Sequence, residues 1–207
     1  MEVPRVFCIG RNYAEHAYEL DNEVPEAPVI FIKPATCLVP VGRAIHFPSH
    51  GCDLQHEAEV VIRIGRKGRV HTSAEALTFI SGLTLGLDLT LRDVQKQMKE
   101  KGLPWEIAKS FEQSAPIGEF VGYEDAMDLK EIEFTCRVND RVRQHGRTRD
   151  MLFGCEELII EISKIWALQE GDMIFTGTPP GVGSLQIGDR VTIESRQLGV
   201  YYWEVVA

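Results

Sequence analysis

The sequence predicts an α+β fold in which strands outnumber helices and build antiparallel or mixed sheet. Three observations carry this. Residues 57–64 and 132–138 alternate apolar and polar side chains, the period of a strand with two unlike faces. Glycine, proline and Asn-Asp pairs cut the chain into short pieces. Only three or four segments show helical spacing.

Taken in order, Val6-Phe7-Cys8-Ile9 reads as a strand ended by Gly10, and Asn12 to Leu20 as a helix with Ala14, Ala17 and Tyr18 on one face. Asp21 to Pro28 is acidic and proline-bearing, a loop; Val29 to Ile32 is a strand stopped by Pro34. Residues 40–56 carry Pro40, Gly42, Pro48 and Gly51 and read as irregular. Glu57 to Ile64 sends Ala58, Val60, Ile62 and Ile64 to one face and Glu57, Glu59, Val61 and Arg63 to the other. Thr72 or Ser73 caps a short helix. Phe79 to Leu89 reads as a buried strand. Thr90-Leu91-Arg92-Asp93 fits a capping box for a helix to about Lys101, ended by Gly102 and Pro104. Asn139-Asp140 marks a hairpin turn after Ile132 to Val138, with a return strand near Val142. Cys155 to Trp166 is an amphipathic helix. Met173 to Thr176, Arg190 to Glu194 and Val200 to Val206 are strands.

A length of 207 residues with 44% hydrophobic residues, without repeat, low-complexity stretch or linker, suits one domain over residues 1–207. The net charge of -9 argues against a nucleic-acid partner, which needs a basic patch. Apolar runs such as Leu158-Ile159-Ile160 are too short for a membrane span. The acidic start Met1-Glu2-Val3 reads as neither signal nor transit peptide. Cys8, Cys37, Cys52, Cys136 and Cys155 are widely spaced and odd in number, as expected of reduced thiols in a cytoplasmic protein.

Several constellations are able to carry chemistry. Glu57 and Glu59 stand two apart on one strand face; close carboxylates repel, and a hard divalent cation relieves that. The plain alternative is a solvated strand face. Asp88 ends an apolar strand, either as a third ligand or as a helix cap. His16 and Glu19 share a helix face, either as a base and its orienting acid or as a surface pair. Lys109 could hold an anionic oxygen, or snorkel at the surface. The Thr176–Gly183 loop matches neither a phosphate loop nor a dinucleotide fingerprint; its amides could hold a carboxylate, or it is a tight turn. His46, His50, Cys52 and His56 lack zinc spacing and read as loop or supporting groups.

In this order the motifs resemble the single-domain fumarylacetoacetate hydrolase family. Gly10-Arg11-Asn12-Tyr13 with His16, Phe31-Ile32-Lys33-Pro34, His56-Glu57-Ala58-Glu59, Leu87-Asp88 with Arg92-Asp93-Val94-Gln95, and Ala108-Lys109-Ser110-Phe111 all carry the likeness. So do Lys101-Gly102-Leu103-Pro104-Trp105, in the manner of the acylpyruvase branch, and the Thr176–Gly183 loop. The resemblance implies a mixed β-sheet roll with flanking helices and a homodimer. It implies Mg²⁺ or Mn²⁺ on Glu57, Glu59 and Asp88. It makes His16 and Glu19 a water-activating dyad on a lid of about residues 10–28. Lys109, with Gln95, Thr178 and Arg92, would meet the substrate, a small 2-oxo acid. The implied activity is hydrolysis of a C–C bond in an acylpyruvate. Oxaloacetate decarboxylation or keto–enol tautomerisation at the same site is the alternative, a dehydratase acting on sugar-derived 2-oxo acids is third, and a non-catalytic metal-binding domain is the remote one.

Overall fold

The computed structural model describes residues 4–20, 23–124 and 126–207. Along the chain the strands are β1 (Val6–Gly10), β2 (Val29–Lys33), β3 (Leu38–Pro40), β4 (Ile45–His46), β5 (Leu54–His56), β6 (Ala58–Ile64), β7 (Ile80–Leu87) and β8 (Thr90–Leu91). They continue as β9 (Ala115–Ile117), β10 (Val121–Gly122), β11 (Glu133–Val138), β12 (Arg141–Arg147), β13 (Met173–Phe175), β14 (Gly183–Ser184), β15 (Arg190–Ser195) and β16 (Gly199–Val206). The α-helices are α1 (Ala14–Glu19), α2 (Ser73–Leu77), α3 (Arg92–Glu100), α4 (Glu106–Lys109) and α5 (Cys155–Ile165).

The largest sheet runs β2-β1-β13-β6-β7-β9-β3, with β10 added on β7. It is mixed: β1 lies parallel to β13 and β3 parallel to β9, and the other pairs are antiparallel. A second sheet runs β12-β11-β15-β16-β4, and a small one β14-β5-β8. The α+β, strand-dominated expectation holds.

Strand β6 is central, and its burial decides the first open alternative. Val60, Ile62 and Ile64 are fully buried on one face; so is Val61 on the other, beside the buried Glu57 and Glu59. The acidic face is therefore interior, and the solvated-face reading is wrong. Each large apolar side chain sealed this way contributes roughly 1.5–3 kcal/mol. The core also takes Leu158, Ile159 and Ile162 from the apolar stripe of α5.

Local signals account for the element ends. Asn139 and Asp140 have φ of 48° and 64°, the left-handed pair of a two-residue type I′ hairpin. Thr72 caps α2 by accepting from the amide of Glu75 at 3.2 Å. Helix α3 ends as a Schellman motif: the Leu103 amide donates to Met98, the Gly102 amide donates to Lys99, and Gly102 has φ of 63°.

Two expectations need correction. Residues 40–56 are not wholly irregular: β4 and β5 lie there, and β5 is held on both sides, by β14 and β8. Thr90 does not cap α3. Its hydroxyl donates to the Asp88 carbonyl at 3.1 Å, and the cap position is Leu91. Asp93 instead accepts from the amides of Cys52 and Asp53, tying the preceding loop to the helix. Of the expected Asp21–Pro28 loop and lid, Asp21 and Asn22 lie outside the described residues, as do Met1 to Val3. No helix among the described residues is long and apolar enough to cross a membrane.

Candidate active site

Pairing of β6 with β7 assembles the acids. Glu59 lies opposite Gly86, and the Asp88 amide donates to the Glu57 carbonyl at 2.8 Å just beyond the paired ends. Opposed residues share a sheet face, so Asp88 joins Glu57 and Glu59 on one side. Carboxylate oxygens of the three lie within 4.8 Å of one another, and all three residues are buried.

Three cations answer them, unequally. Lys109, at the end of the four-residue α4, donates to Glu57 Oε2 at 2.7 Å and to Asp88 Oδ2 at 2.8 Å. It is 3% exposed, so the snorkelling alternative fails. Arg92 donates to Glu57 Oε1 at 2.5 Å, to Gln95 Oε1 at 2.6 Å and to Gln55 Oε1 at 2.8 Å. Lys33 Nζ lies 2.8 Å from Asp88 Oδ1. Its three protons, however, go to the carbonyls of Leu89, Lys109 and Ser114. Asp88 Oδ1 is therefore buried beside a positive charge yet accepts no hydrogen bond.

The protonation directions follow. Burial pushes the Glu57 carboxyl up, but Lys109 and Arg92 outweigh it and hold Glu57 well below the usual carboxylate range. Glu59 goes the other way: burial and the charges of Asp88 and Glu57 push it well up, against a single amide donor, Gly177 at 2.7 Å. Lys109 loses by burial and gains more from Asp88 and Glu57, so it stays charged.

A hard divalent cation fits this set. The donors are carboxylate oxygens at close range. Asp88 Oδ1 is buried and accepts no hydrogen bond, which leaves a lone pair for such an ion. Glu59 has no side-chain cation partner among the described residues.

The dyad sits above the acids. His16 is 4% exposed, and its Nδ1 lies 3.1 Å from Glu19 Oε2. A carboxylate only accepts, so Nδ1 carries the proton and Nε2 is the basic nitrogen. Glu19 Oε1 accepts from the Gly181 amide at 2.9 Å, which fixes its direction. The segment is seated by Asn12, whose side chain bonds the carbonyls of Phe153 and Thr176 and the amide of Phe153. The surface-pair reading of His16 therefore fails.

The loop after β13 is built on two glycines. Gly177 has φ of 100°, and a Cβ there would stand 2.5 Å from the Asn12 Cβ; Gly181 has φ of 95°, and a Cβ would meet the Arg143 carbonyl oxygen at 2.1 Å. Thr178 donates to the Ala58 carbonyl at 2.9 Å and accepts from Gln144 Nε2 at 2.7 Å. Gln144 Oε1 in turn meets His56 Nδ1 at 2.9 Å and the Ala58 amide at 3.1 Å. His56 is thus a support for this loop. His46 and His50 bond Gln113 and the Ile107 carbonyl elsewhere, so the four-residue group does not converge.

A cavity of about 40 Å³ joins these parts; His16, Glu57, Arg92, Gln95, Lys109 and Thr178 line it, with Arg11, Lys99, Phe31 and Trp105. A larger groove of about 230 Å³ along Val29–Ile32 and Leu103–Glu106 has Glu106 as its only titratable lining group. The chemistry belongs to the smaller space. Sequence reasoning assigned no role to Lys33 or Gln144; its reading that amides of the Thr176–Gly183 loop could hold a carboxylate is met by Gly177 on Glu59 and Gly181 on Glu19. Lys33 had a signal, a lone charge in the apolar run Val29–Pro34.

Residues 5–206 match the family model described as fumarylacetoacetate (FAA) hydrolase C-terminal. The chain is similar to the mitochondrial oxaloacetate tautomerase FAHD1 of Bos taurus, 41% identical over 186 residues, which cover 90% of this chain and 84% of the relative. It is similar to the mitochondrial oxaloacetate decarboxylase of Dictyostelium discoideum, 41% identical over 185 residues, covering 89% and 85%. Among solved structures it resembles the fumarylpyruvate hydrolase of Pseudomonas aeruginosa in complex with Mn²⁺ and pyruvate. The TM-score there is 0.93 and the identity 35%, over 99% of this chain and 90% of that one. The chain belongs to the fumarylacetoacetate hydrolase family.

Proposed function

We propose that the chain is a divalent-cation-dependent enzyme that acts on a short 2-oxo acid through its enolate, moving a proton at the carbon next to the 2-oxo group as a keto–enol tautomerase does. The observation that carries this reading is the buried His16, aligned by Glu19 and facing the same small cavity as Glu57 of the acidic triad. Glu57, Glu59 and Asp88 would hold Mg²⁺ or Mn²⁺. Such an ion, when bound, polarises the 2-oxo group and makes the neighbouring C–H more acidic.

The chain's own groups supply the rest. His16 takes the proton at Nε2 and returns it to carbon or oxygen; Glu19 steadies the imidazolium that forms. Lys109 keeps its ammonium beside the oxygen on which enolate charge develops. Gln95, Thr178 and Arg92 line the cavity and orient the acid end. The likeness to an oxaloacetate tautomerase and to an oxaloacetate decarboxylase, each 41% identical, favours proton transfer or loss of CO₂ from oxaloacetate over a hydrolytic step.

A second reading has its own support. The likeness to a fumarylpyruvate hydrolase runs over 99% of this chain. Here His16 would deprotonate a water, which attacks the C4 carbonyl of an acylpyruvate and releases pyruvate and a carboxylic acid. Metal-stripped protein, with and without Mg²⁺, separates the readings on oxaloacetate, acetylpyruvate and fumarylpyruvate. Mg²⁺-dependent enol–keto exchange of oxaloacetate, lost in His16→Ala, supports the first. Release of pyruvate plus an acid from a dioxo acid supports the second. Inactivity on all three leaves a metal-binding domain.

A further inference from the structure

Strand β6 loses its neighbour where the acids begin. Strand β13 pairs with it only from Arg63 to Val61, and the Thr176 amide still reaches the Val60 carbonyl. Ala58, between Glu57 and Glu59, has no strand on that edge. The Asp88 amide bonds the Glu57 carbonyl toward β7, and successive residues of a strand turn their backbone groups to opposite edges. The amide and carbonyl of Ala58 therefore face the open side. Ala58 is fully buried, and buried backbone groups need partners. Two side chains supply them. The Ala58 amide donates to Gln144 Oε1 at 3.1 Å, and its carbonyl accepts from the Thr178 hydroxyl at 2.9 Å.

Gln144 has its whole bonding capacity engaged here. Its oxygen also accepts from His56 Nδ1 at 2.9 Å, and its nitrogen donates to the Thr178 hydroxyl at 2.7 Å and the Pro179 carbonyl at 2.8 Å. A side-chain amide has two acceptor sites and two donor protons, so all four are used. Gln144 is buried, and its nearest partner in sequence is 34 residues away. The loop that it grips carries the two amides that serve the site, Gly177 on Glu59 and Gly181 on Glu19, and Thr178 and Pro179 lie between them. The preceding residue, Arg143, sets its carbonyl against Gly181, where a Cβ would stand 2.1 Å away.

We infer that Gln144 is a positioning residue: it fixes the Glu57-Ala58-Glu59 strand and the Thr176–Gly183 loop against each other, so that cation affinity and the alignment of Glu19 on His16 depend on it together. This rests on the proposed roles of the triad and the dyad. Gln144 is not among the residues that line the cavity, so it acts through Ala58, Thr178 and the loop amides.

The test compares wild type with Gln144→Met, which keeps the side-chain length and removes all four bonds, and with Gln144→Glu, which keeps the accepted bonds and loses the donated ones. Calorimetry reads Mg²⁺ binding to metal-stripped protein, circular dichroism reads the fold, and kcat is taken at saturating Mg²⁺ on the 2-oxo acid that wild type turns over. Gln144→Met is expected to weaken Mg²⁺ binding by about 10–100-fold and to lower kcat by a similar factor, as loss of a group that orients metal ligands does. In a Glu19→Ala background the latch is already released, so the same substitution should lower kcat by less than about threefold. Gln144→Glu should fall between wild type and Gln144→Met in both readouts, and it carries the test alone where Gln144→Met fails to fold. A side chain that only packs would lower the melting temperature and leave Kd and kcat within about threefold of wild type. That result overturns the positioning role, as does an equal fall in kcat with and without Glu19. A wild-type protein that neither binds Mg²⁺ nor turns over a 2-oxo acid overturns the proposed function and the positioning role with it.

Discussion

Replacing Glu59 by glutamine isolates the one acid of the triad that no side-chain cation neutralises among the described residues. The amide keeps the shape and can still accept from Gly177, so packing is preserved. Two effects follow. A cation present at about 100 times its Kd stabilises the native state by about 2.7 kcal/mol. For 207 residues this is a melting shift of roughly 5–11 °C. If the variant binds the metal roughly 100-fold more weakly, the stabilisation falls to about 0.4 kcal/mol and the shift to roughly 1–2 °C. Without metal the sign reverses. Glu59 is raised in the folded state, so wild-type stability is highest below the ordinary glutamate pKa and is lost as pH rises through the raised value. The glutamine variant lacks this loss and melts above wild type at pH 8 in chelator. Scanning calorimetry with EDTA or Mg²⁺, from pH 5 to pH 8, reads both. A glutamine variant that keeps the full Mg²⁺ shift, or melts below wild type in chelator, refutes the reasoning.

Other perturbations follow from the same geometry. His16→Ala is expected to lower kcat by about 10²–10⁴-fold with an unchanged circular dichroism spectrum; a loss under fivefold removes His16 from the chemistry. Lys109→Met leaves Glu57 and Asp88 facing each other and should cost about 3–5 kcal/mol in urea unfolding, partly restored by Mg²⁺. Gly177→Ala forces a Cβ toward Asn12 at a positive φ and should cost about 1–3 kcal/mol, while loosening the amide on Glu59. His56 is held below its usual value, first by burial, so the unfolded state takes up a proton below about pH 6.5 that the native state refuses. Stability therefore falls as pH drops through that range, and His56→Gln should flatten this limb in a melting-temperature series.

The residues that lay on a regular period were legible in the sequence. Alternation gave β6 and β11, and Asn139-Asp140 gave the hairpin register because few residues tolerate two left-handed positions in succession. Strands of two or three residues, such as β4, β8 and β14, hold no full period, and long-range pairing alone creates them. In the site, Glu57 and Glu59 were readable as an i, i+2 pair, but their burial was not, since the groups packed against them, Arg92, Lys109 and the Gly177 amide, come from distant parts of the chain. Residue type said little of Lys109, a lone lysine in a semi-apolar stretch. Gln144 was invisible, because it sits on a polar strand 86 residues from the Ala58 amide that it holds. Thr90 misled for a physical reason: its hydroxyl found the nearby Asp88 carbonyl before the helix amides.

The bond between the Gly181 amide and Glu19 spans 162 residues. Translation runs from the N-terminus, so the segment bearing His16 is made early and its latch late. At roughly 5–20 residues per second, Glu19 waits about 8–30 s for Gly181 to be synthesised. Strand β1 is in the same position, since its parallel partner β13 begins at Met173. A nascent chain thus exposes the histidine and the acidic strand without the geometry that joins them. The geometry that joins them is complete only once β13 and Gly181 have been made.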